Sequence, residues 1–147
     1  MMAALVLLFI RTDCPISNRY APEIQRLYQS YHRRGIEFRL VYTESALDSA
    51  AVARHKSEYG LTLPSEIDTG HAYLRKAKAT VTPEAAVFAG SEMLYRGRID
   101  DLYPALGQSR RHASIHDLED VLRALAAGQK PAPRFTRATG CAIESGP

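Results

Sequence analysis

A cysteine at the start of a helical segment is the residue of this sequence best suited to chemistry. Cys14 stands in the stretch "RTDCPISNRY", directly before Pro15. Proline is favoured at the first position of a helix, because its missing N–H would have no partner there. A cysteine reacts as its thiolate, and the unpaired N–H groups at a helix N-terminus stabilise that anion. The pattern predicts a sulfur nucleophile; the alternative is a small buried packing residue.

Two neighbours of Cys14 bear on its reactivity. Ser17 lies three residues later, where its hydroxyl can donate a hydrogen bond to a thiolate, although a helix-capping role fits it equally well. Asp13 acts in the opposite direction, because an adjacent carboxylate disfavours a second negative charge. We expect the donors to outweigh this repulsion.

Cys141, the second of two cysteines, lies near the far end of the chain. Two cysteines so far apart form neither a local metal-binding pair nor a disulfide-rich framework. The segment after Gly128 is rich in proline and glycine, and about 13 extended residues reach roughly 40 Å. Cys141 can therefore meet Cys14 of its own chain or of a neighbouring copy, as a resolving thiol. The alternative is a stray cysteine in a frayed tail.

The five histidines raise a metal-binding alternative. A copper-handling site would need a second cysteine close to Cys14, and here it would have to recruit Cys141 and His71. Solvent-exposed histidines are more common than metal ligands, and we expect His32 and His55 on solvent faces. The sequence predicts no metal site and no cofactor.

The elements that position these residues alternate between strand and helix. Residues 3–10 are a continuous apolar run, which predicts a parallel strand buried on both faces. Apolar spacing predicts a helix over residues 15–34, ended by Gly35. Residues 36–43 predict a second strand and residues 48–59 a second helix. This order predicts parallel pairing of the two strands through a right-handed crossover.

The second half of the chain predicts a different connection. Residues 84–89 and 92–99 form two strands joined by a Gly-Ser turn, which predicts an antiparallel hairpin. A short extended piece over 61–68 and a helix over 70–78 precede the hairpin. Ser114 is the expected cap of a last helix over 115–127.

Composition sets the broad class of the protein. The chain has 147 residues, of which 46% are hydrophobic and 24% charged, values ordinary for a single globular domain. Its 19 basic and 16 acidic residues are dispersed, so we expect no nucleic-acid partner. The apolar run at 3–10 is too short to span a membrane and lacks a basic region before it. We expect no membrane partner and a soluble protein, cytoplasmic, or periplasmic if an upstream export signal is missing.

The motifs "TDCPIS", "NRYAPEIQRLYQSY" and "ATVTPEAAVF" resemble the thioredoxin-like redoxin family, which includes alkyl-hydroperoxide-reductase and thiol-specific-antioxidant proteins. The resemblance implies an α/β thioredoxin-like fold: a central mixed sheet flanked by helices, in the order βαβα(α)ββα. We assign residues 1–128 to this domain and 129–147 to an extended C-terminal arm. The chain departs from the family's dithiol motif, since it reads C-x-x-S. It also lacks the peroxiredoxin residues ahead of the cysteine, where Arg11 and Leu7 stand.

The resemblance also implies a function and a set of site residues. In that superfamily the proline before the hairpin is cis and lies against the active sulfur, which here is Pro83. The backbone of Thr82 would then be open to a substrate peptide, and Pro15 would line the same groove. The implied activity is thiol-dependent oxidoreduction by Cys14, Ser17 and Cys141 on a disulfide-containing protein or a small peroxide.

A thiol reductant and a homodimer are the further partners that this activity suggests. For a peroxide, Arg11, Arg19 or Arg98 would polarise the substrate. The alternative function is a non-catalytic binding or copper-handling module on the same scaffold.

Overall fold

The computed structural model describes residues 3–143. Residues 1 and 2 of the predicted domain, and residues 144–147 of the predicted arm, lie outside the described part. The strands are β1 Ala4–Ile10, β2 Ile36–Tyr42, β3 Ser65–Ile67, β4 Val81–Thr82, β5 Glu84–Ala89, β6 Glu92–Gly97, β7 Arg134–Phe135 and β8 Cys141–Ala142. The helices are α1 Pro15–Arg19, α2 Ala21–Tyr31, α3 Ser49–Tyr59, α4 Ala72–Ala77 and α5 Asp117–Ala126, with a 3₁₀ turn at His32–Arg34.

The main sheet is mixed, with strand order β3-β2-β1-β5-β6-β7. Strands β1, β2 and β3 are parallel, as the strand-helix-strand pattern predicts. Strand β5 pairs antiparallel with β1 and forms the predicted hairpin with β6. The expected α/β fold with a central mixed sheet flanked by helices is confirmed. Strands β4 and β8 form a separate two-stranded ladder.

Strand β1 is apolar throughout because both of its faces are covered. Val6, Leu8 and Ile10 belong to the larger buried cluster, which is shared with helices α2 and α5. Leu7 and Phe9 point to the opposite face, into a smaller cluster that includes α4. This double burial holds the C-terminal end of β1, and with it the turn that carries Cys14. None of the helices between residues 3 and 143 is long and apolar enough to cross a bilayer.

The first predicted helix is interrupted at Tyr20, so the expectation of one helix over 15–34 is wrong. Pro22 is the cause, because it has no N–H to donate to the carbonyl of Asn18. The turn there is tighter than an α-helical turn, because the Tyr20 N–H donates to the Ser17 carbonyl, three residues earlier, at 3.1 Å. Helix α1 is therefore a short segment that ends close to the cysteine.

The last helix also begins later than predicted. Helix α5 starts at Asp117, after His116, so Ser114 does not cap it. The buried Asp101 carboxylate accepts the N–H groups of Ser114 at 2.6 Å and Ile115 at 3.0 Å, which holds this stretch outside the helix. Strand β6 likewise ends at Gly97 rather than at residue 99.

Candidate active site

Cys14 and Cys141 form a disulfide within one chain, with their Cα atoms 6.1 Å apart. This answers the question that the sequence leaves open, whether the two sulfurs meet in one chain or between two. Cys14 is only 1% exposed in this oxidised state.

Cys14 caps the N-terminus of α1 in an extended backbone conformation, and Pro15 is the first helical residue. The Ser17 N–H donates to Cys14 Sγ at 3.4 Å. The Ser17 side chain is 2% exposed, and its hydroxyl has no hydrogen-bond partner within residues 3–143.

The loop before the hairpin lies against the same sulfur. The Thr82–Pro83 peptide bond is cis, the isomer that the resemblance implies. Both residues are buried, and the Thr82 carbonyl oxygen lies 3.4 Å from Cys14 Sγ. The loop thus supplies one wall of the site, as the sequence motif "TVTP" suggests.

Glu84, which the sequence did not single out, holds that loop in shape. Its side chain is 4% exposed and accepts the N–H groups of Thr80 at 2.8 Å and Val81 at 3.3 Å. These bonds satisfy two donors that a tight turn would otherwise leave unpaired. The only sequence signal was its place directly after the Thr-Pro pair.

The arm occupies the groove that we expected to be open. Strand β8 pairs antiparallel with β4, so that Cys141 lies opposite Thr82 and Ala142 opposite Val81. The Ile143 N–H extends the ladder by donating to the Thr80 carbonyl at 2.9 Å. The expectation of an exposed Thr82 backbone is thus wrong for the oxidised chain, because the chain's own C-terminal segment covers it.

A second anchor holds the arm upstream of the disulfide. The Thr136 N–H donates to the Arg96 carbonyl at 3.0 Å, and its hydroxyl bonds the Tyr95 hydroxyl at 2.6 Å. Thr136 packs onto the backbone of Gly97, where a side chain would bring a Cβ within 2.6 Å of the Thr136 carbonyl oxygen. Arg134 adds an ion pair to the buried Asp117 at 2.5 Å.

Charges beside the cysteine are paired with each other. Arg11 and Asp13 form an ion pair at 2.9 Å, and this hydrogen bond lowers the pKa of Asp13. The partial neutralisation weakens the repulsion that Asp13 would exert on a thiolate. Of the other arginines considered for peroxide polarisation, Arg19 donates to the Tyr103 hydroxyl and Arg98 to Asp117.

A hydrogen-bond chain behind α1 connects the cysteine turn to α3. The Asn18 side-chain amide donates to the Thr12 carbonyl at 2.9 Å, which leaves its oxygen to accept from His55 Nε2 at 2.7 Å. His55 Nδ1 then accepts from the Tyr42 hydroxyl at 2.8 Å. His55 is 6% exposed, so its expected place on a solvent face is wrong. With Nε2 donating to Asn18 and Nδ1 accepting from Tyr42, His55 is neutral in this arrangement.

This network predicts a pH effect on stability. Burial lowers the pKa of His55, and the charges of Glu44 and Glu58 oppose the shift more weakly. Below pH about 6.5, the ordinary pKa of histidine, His55 binds a proton in the unfolded chain more readily than in the folded chain. The free energy of unfolding should therefore fall as the pH drops. Urea unfolding at about pH 7.5 and about pH 5.5 measures this.

The control for this effect is a pair of histidine variants. His55→Gln should weaken the loss of stability between the two pH values, whereas His32→Gln, at an exposed position, should leave it unchanged. An identical pH dependence in the wild type and in His55→Gln would contradict the assignment of a neutral buried imidazole.

In this oxidised state, neither cysteine offers a thiolate to a copper ion. Both sulfurs are used in the disulfide. Among the described residues, the side chains close enough to share a metal ion are Glu23, Asp100 and His116. Both carboxylate oxygens of Glu23 accept from Arg26, at 2.7 and 2.9 Å. The cluster includes neither cysteine.

Comparison with known proteins identifies the fold. No protein-family model and no curated protein matches the sequence. Among solved structures, an uncharacterised conserved protein from Geobacillus kaustophilus superposes with a TM-score of 0.79 at 22% identity, covering 99% of this chain and 78% of that one.

Two further structures carry descriptions of their chemistry. A secreted Mycobacterium tuberculosis disulfide oxidoreductase, described as homologous to E. coli DsbE, gives a TM-score of 0.58 at 16% identity, covering 83% of this chain and 81% of that one. A thioredoxin-like protein in its oxidised form gives 0.63 at 16% identity, covering 88% and 82%. The fold of this chain is thioredoxin-like.

Proposed function

We propose that this chain is a thiol-disulfide oxidoreductase that exchanges electrons between a protein disulfide and a thiol reductant. One observation carries the proposal: a helix-capping cysteine is bonded to a second cysteine on a strand that pairs beside it, at Thr82. The solved disulfide oxidoreductase of the same fold is consistent with this chemistry.

The reaction balances with the two cysteines alone. The Cys14 thiolate attacks one sulfur of the substrate disulfide, and the other substrate sulfur leaves as a thiolate and takes up a proton. The Cys141 thiolate then attacks Cys14 Sγ, which releases the second substrate thiol and leaves the Cys14–Cys141 bond. Two electrons have passed to the substrate. A thiol reductant restores both cysteines by the same exchange in reverse.

Two donors, both from Ser17, support the attack by Cys14. The Ser17 N–H points at the sulfur, and the Ser17 hydroxyl is buried and free to donate. Hydrogen bonds to an anion are stronger than those to a neutral thiol, so both donors favour the thiolate. Pro15, at the exposed start of α1, and Thr82 and Pro83 on the other side are the proposed walls of the substrate groove.

A peptide disulfide suits this groove better than a small peroxide. The β4 edge already binds an extended segment, the arm, through backbone pairing. Arg19 and Arg98, which would polarise a peroxide, are engaged with Tyr103 and Asp117 instead. An intrachain disulfide also means that resolution by Cys141 needs no second copy of the chain.

The proposal is tested by reduction of insulin with dithiothreitol as electron donor. The chain should accelerate the reaction above dithiothreitol alone, and Ser17→Ala should slow it about tenfold, as expected for the loss of a hydrogen bond to a charged group. Ser30→Ala, at an exposed position on α2, is the matched control and should match the wild type. A wild-type rate equal to that of dithiothreitol alone would rule out the proposed function for this substrate class.

A further inference from the structure

We infer that the groove at Thr82 favours peptides in which a glycine directly precedes the reacting cysteine, and that the arm carries this sequence as an internal competitor. The inference rests on the proposed function and adds a substrate requirement to it. The chain's own segment "TGCAI", residues 139–143, is the model for the peptide.

The requirement comes from the close approach of Gly140 to the loop. A Cβ built on Gly140 would lie 2.6 Å from the Thr82 carbonyl carbon, closer still to its oxygen, and 3.3 Å from the Pro83 nitrogen. These are backbone atoms, and the Glu84 carboxylate holds the residues before them. Gly140 does not have a positive φ, so its backbone conformation is open to other residues. Glycine is needed there because a Cβ atom would have no room.

The same restriction applies to a substrate in the same register. A substrate cysteine bonded to Cys14 and paired with Thr82, as Cys141 is, places its preceding residue at the position of Gly140. The following residue is unrestricted, since Ala142 is exposed. The next one along, Ile143, packs against the smaller apolar cluster. The preferred segment is therefore Gly-Cys, any residue, then an apolar residue.

The arm is built so that its end can vacate this groove. Thr136 and Arg134 are held by Gly97, Tyr95 and Asp117, contacts that do not involve the disulfide. Residues 137–140 then line one side of a cleft of about 620 Å³ before the chain reaches Cys141. Once the disulfide is reduced, the short β4–β8 ladder and the packing of Ile143 are the contacts described for residues 141–143. A peptide of matching sequence competes with it for the same edge.

The test uses the full chain as Cys141→Ser and two six-residue peptides, Ala-Thr-Gly-Cys-Ala-Ile and Ala-Thr-Ala-Cys-Ala-Ile. Each peptide is supplied as a mixed disulfide with thionitrobenzoate. Attack by Cys14 on the peptide sulfur breaks that bond and releases coloured thionitrobenzoate, and mass spectrometry identifies the protein–peptide disulfide. The glycine peptide should react at least about tenfold faster, because an added methyl in a filled site is strongly disfavoured.

A second variant places the same methyl on the arm. Gly140→Ala combined with Cys141→Ser should prevent the arm from docking and speed the reaction of the glycine peptide by about tenfold. Ala132→Ser combined with Cys141→Ser changes an exposed arm position outside the β4–β8 ladder and should leave that rate unchanged. One methyl group thus slows the reaction when it is on the peptide and speeds it when it is on the arm.

The outcomes separate this inference from the function on which it rests. Equal and rapid reaction of both peptides would overturn the glycine requirement and leave the oxidoreductase intact. An unchanged rate in the Gly140→Ala double variant would overturn the arm as a competitor. Release of thionitrobenzoate from neither peptide would overturn the proposed function, and this inference with it.

Discussion

Cys141→Ser should stop the reaction at a covalent complex between Cys14 and the substrate. The first attack needs only Cys14, whereas release of the substrate needs the second sulfur opposite Thr82. When reductant is limiting, turnover should fall about a hundredfold or more, and a protein–substrate disulfide should accumulate on a non-reducing gel. Excess reductant should dissolve the complex, because an external thiol then replaces Cys141.

The matched variant is Cys14→Ser, which removes the nucleophile itself. Turnover should fall about a thousandfold or more, and no covalent complex should form, because a serine oxygen cannot take the place of the Cys14 sulfur in a mixed disulfide. A complex that forms through Cys141 in this variant would reverse the proposed roles of the two sulfurs. If both variants were as active as the wild type, neither cysteine would take part in the reaction.

Reduction of the disulfide should lower the free energy of unfolding by about 3–5 kcal/mol. The bond joins residues 127 positions apart, and closing so long a loop removes much of the conformational entropy of the unfolded chain. Urea unfolding with and without a phosphine reductant measures the difference. The midpoint should move to lower urea on reduction, and the slope should rise because the unfolded chain without the crosslink exposes more surface.

The double variant Cys14→Ser/Cys141→Ser serves as the control for this effect. Its stability should match that of the reduced wild type and should not respond to the reductant. A difference of less than about 1 kcal/mol between the oxidised and reduced wild type would show that the bond adds little to the folded state.

The position of Cys14 could be predicted because its signals are local. The apolar run of β1 indicates burial on both faces, and the Cys-Pro pair indicates a strand end followed by a helix start. The break of the first helix was also marked locally, by Pro22, although regular apolar spacing on both sides obscured it. The late start of α5 was not marked locally, since the Asp101 carboxylate that binds the N–H groups of Ser114 and Ile115 belongs to a separate segment.

The features that depend on distant pairing could not be predicted. Composition indicated that the arm can reach Cys14, but not that β8 would pair with β4 and cover the Thr82 backbone. The roles of Gly97 and Gly140 follow from close approaches of segments far apart in sequence. His55 looked like a surface residue because its partners, Tyr42 and Asn18, come from other elements.

Transfer of electrons between a substrate disulfide and the cysteine pair tests the central claim most directly. Fully reduced protein, freed of reductant, is mixed with one equivalent of a peptide disulfide. The reaction is quenched with an alkylating reagent, and the masses of protein and peptide are measured by mass spectrometry. We predict that one Cys14–Cys141 bond forms for each substrate disulfide reduced. A substrate that stays oxidised beside two alkylated cysteines, or cysteines that oxidise while the substrate does not change, would contradict the account.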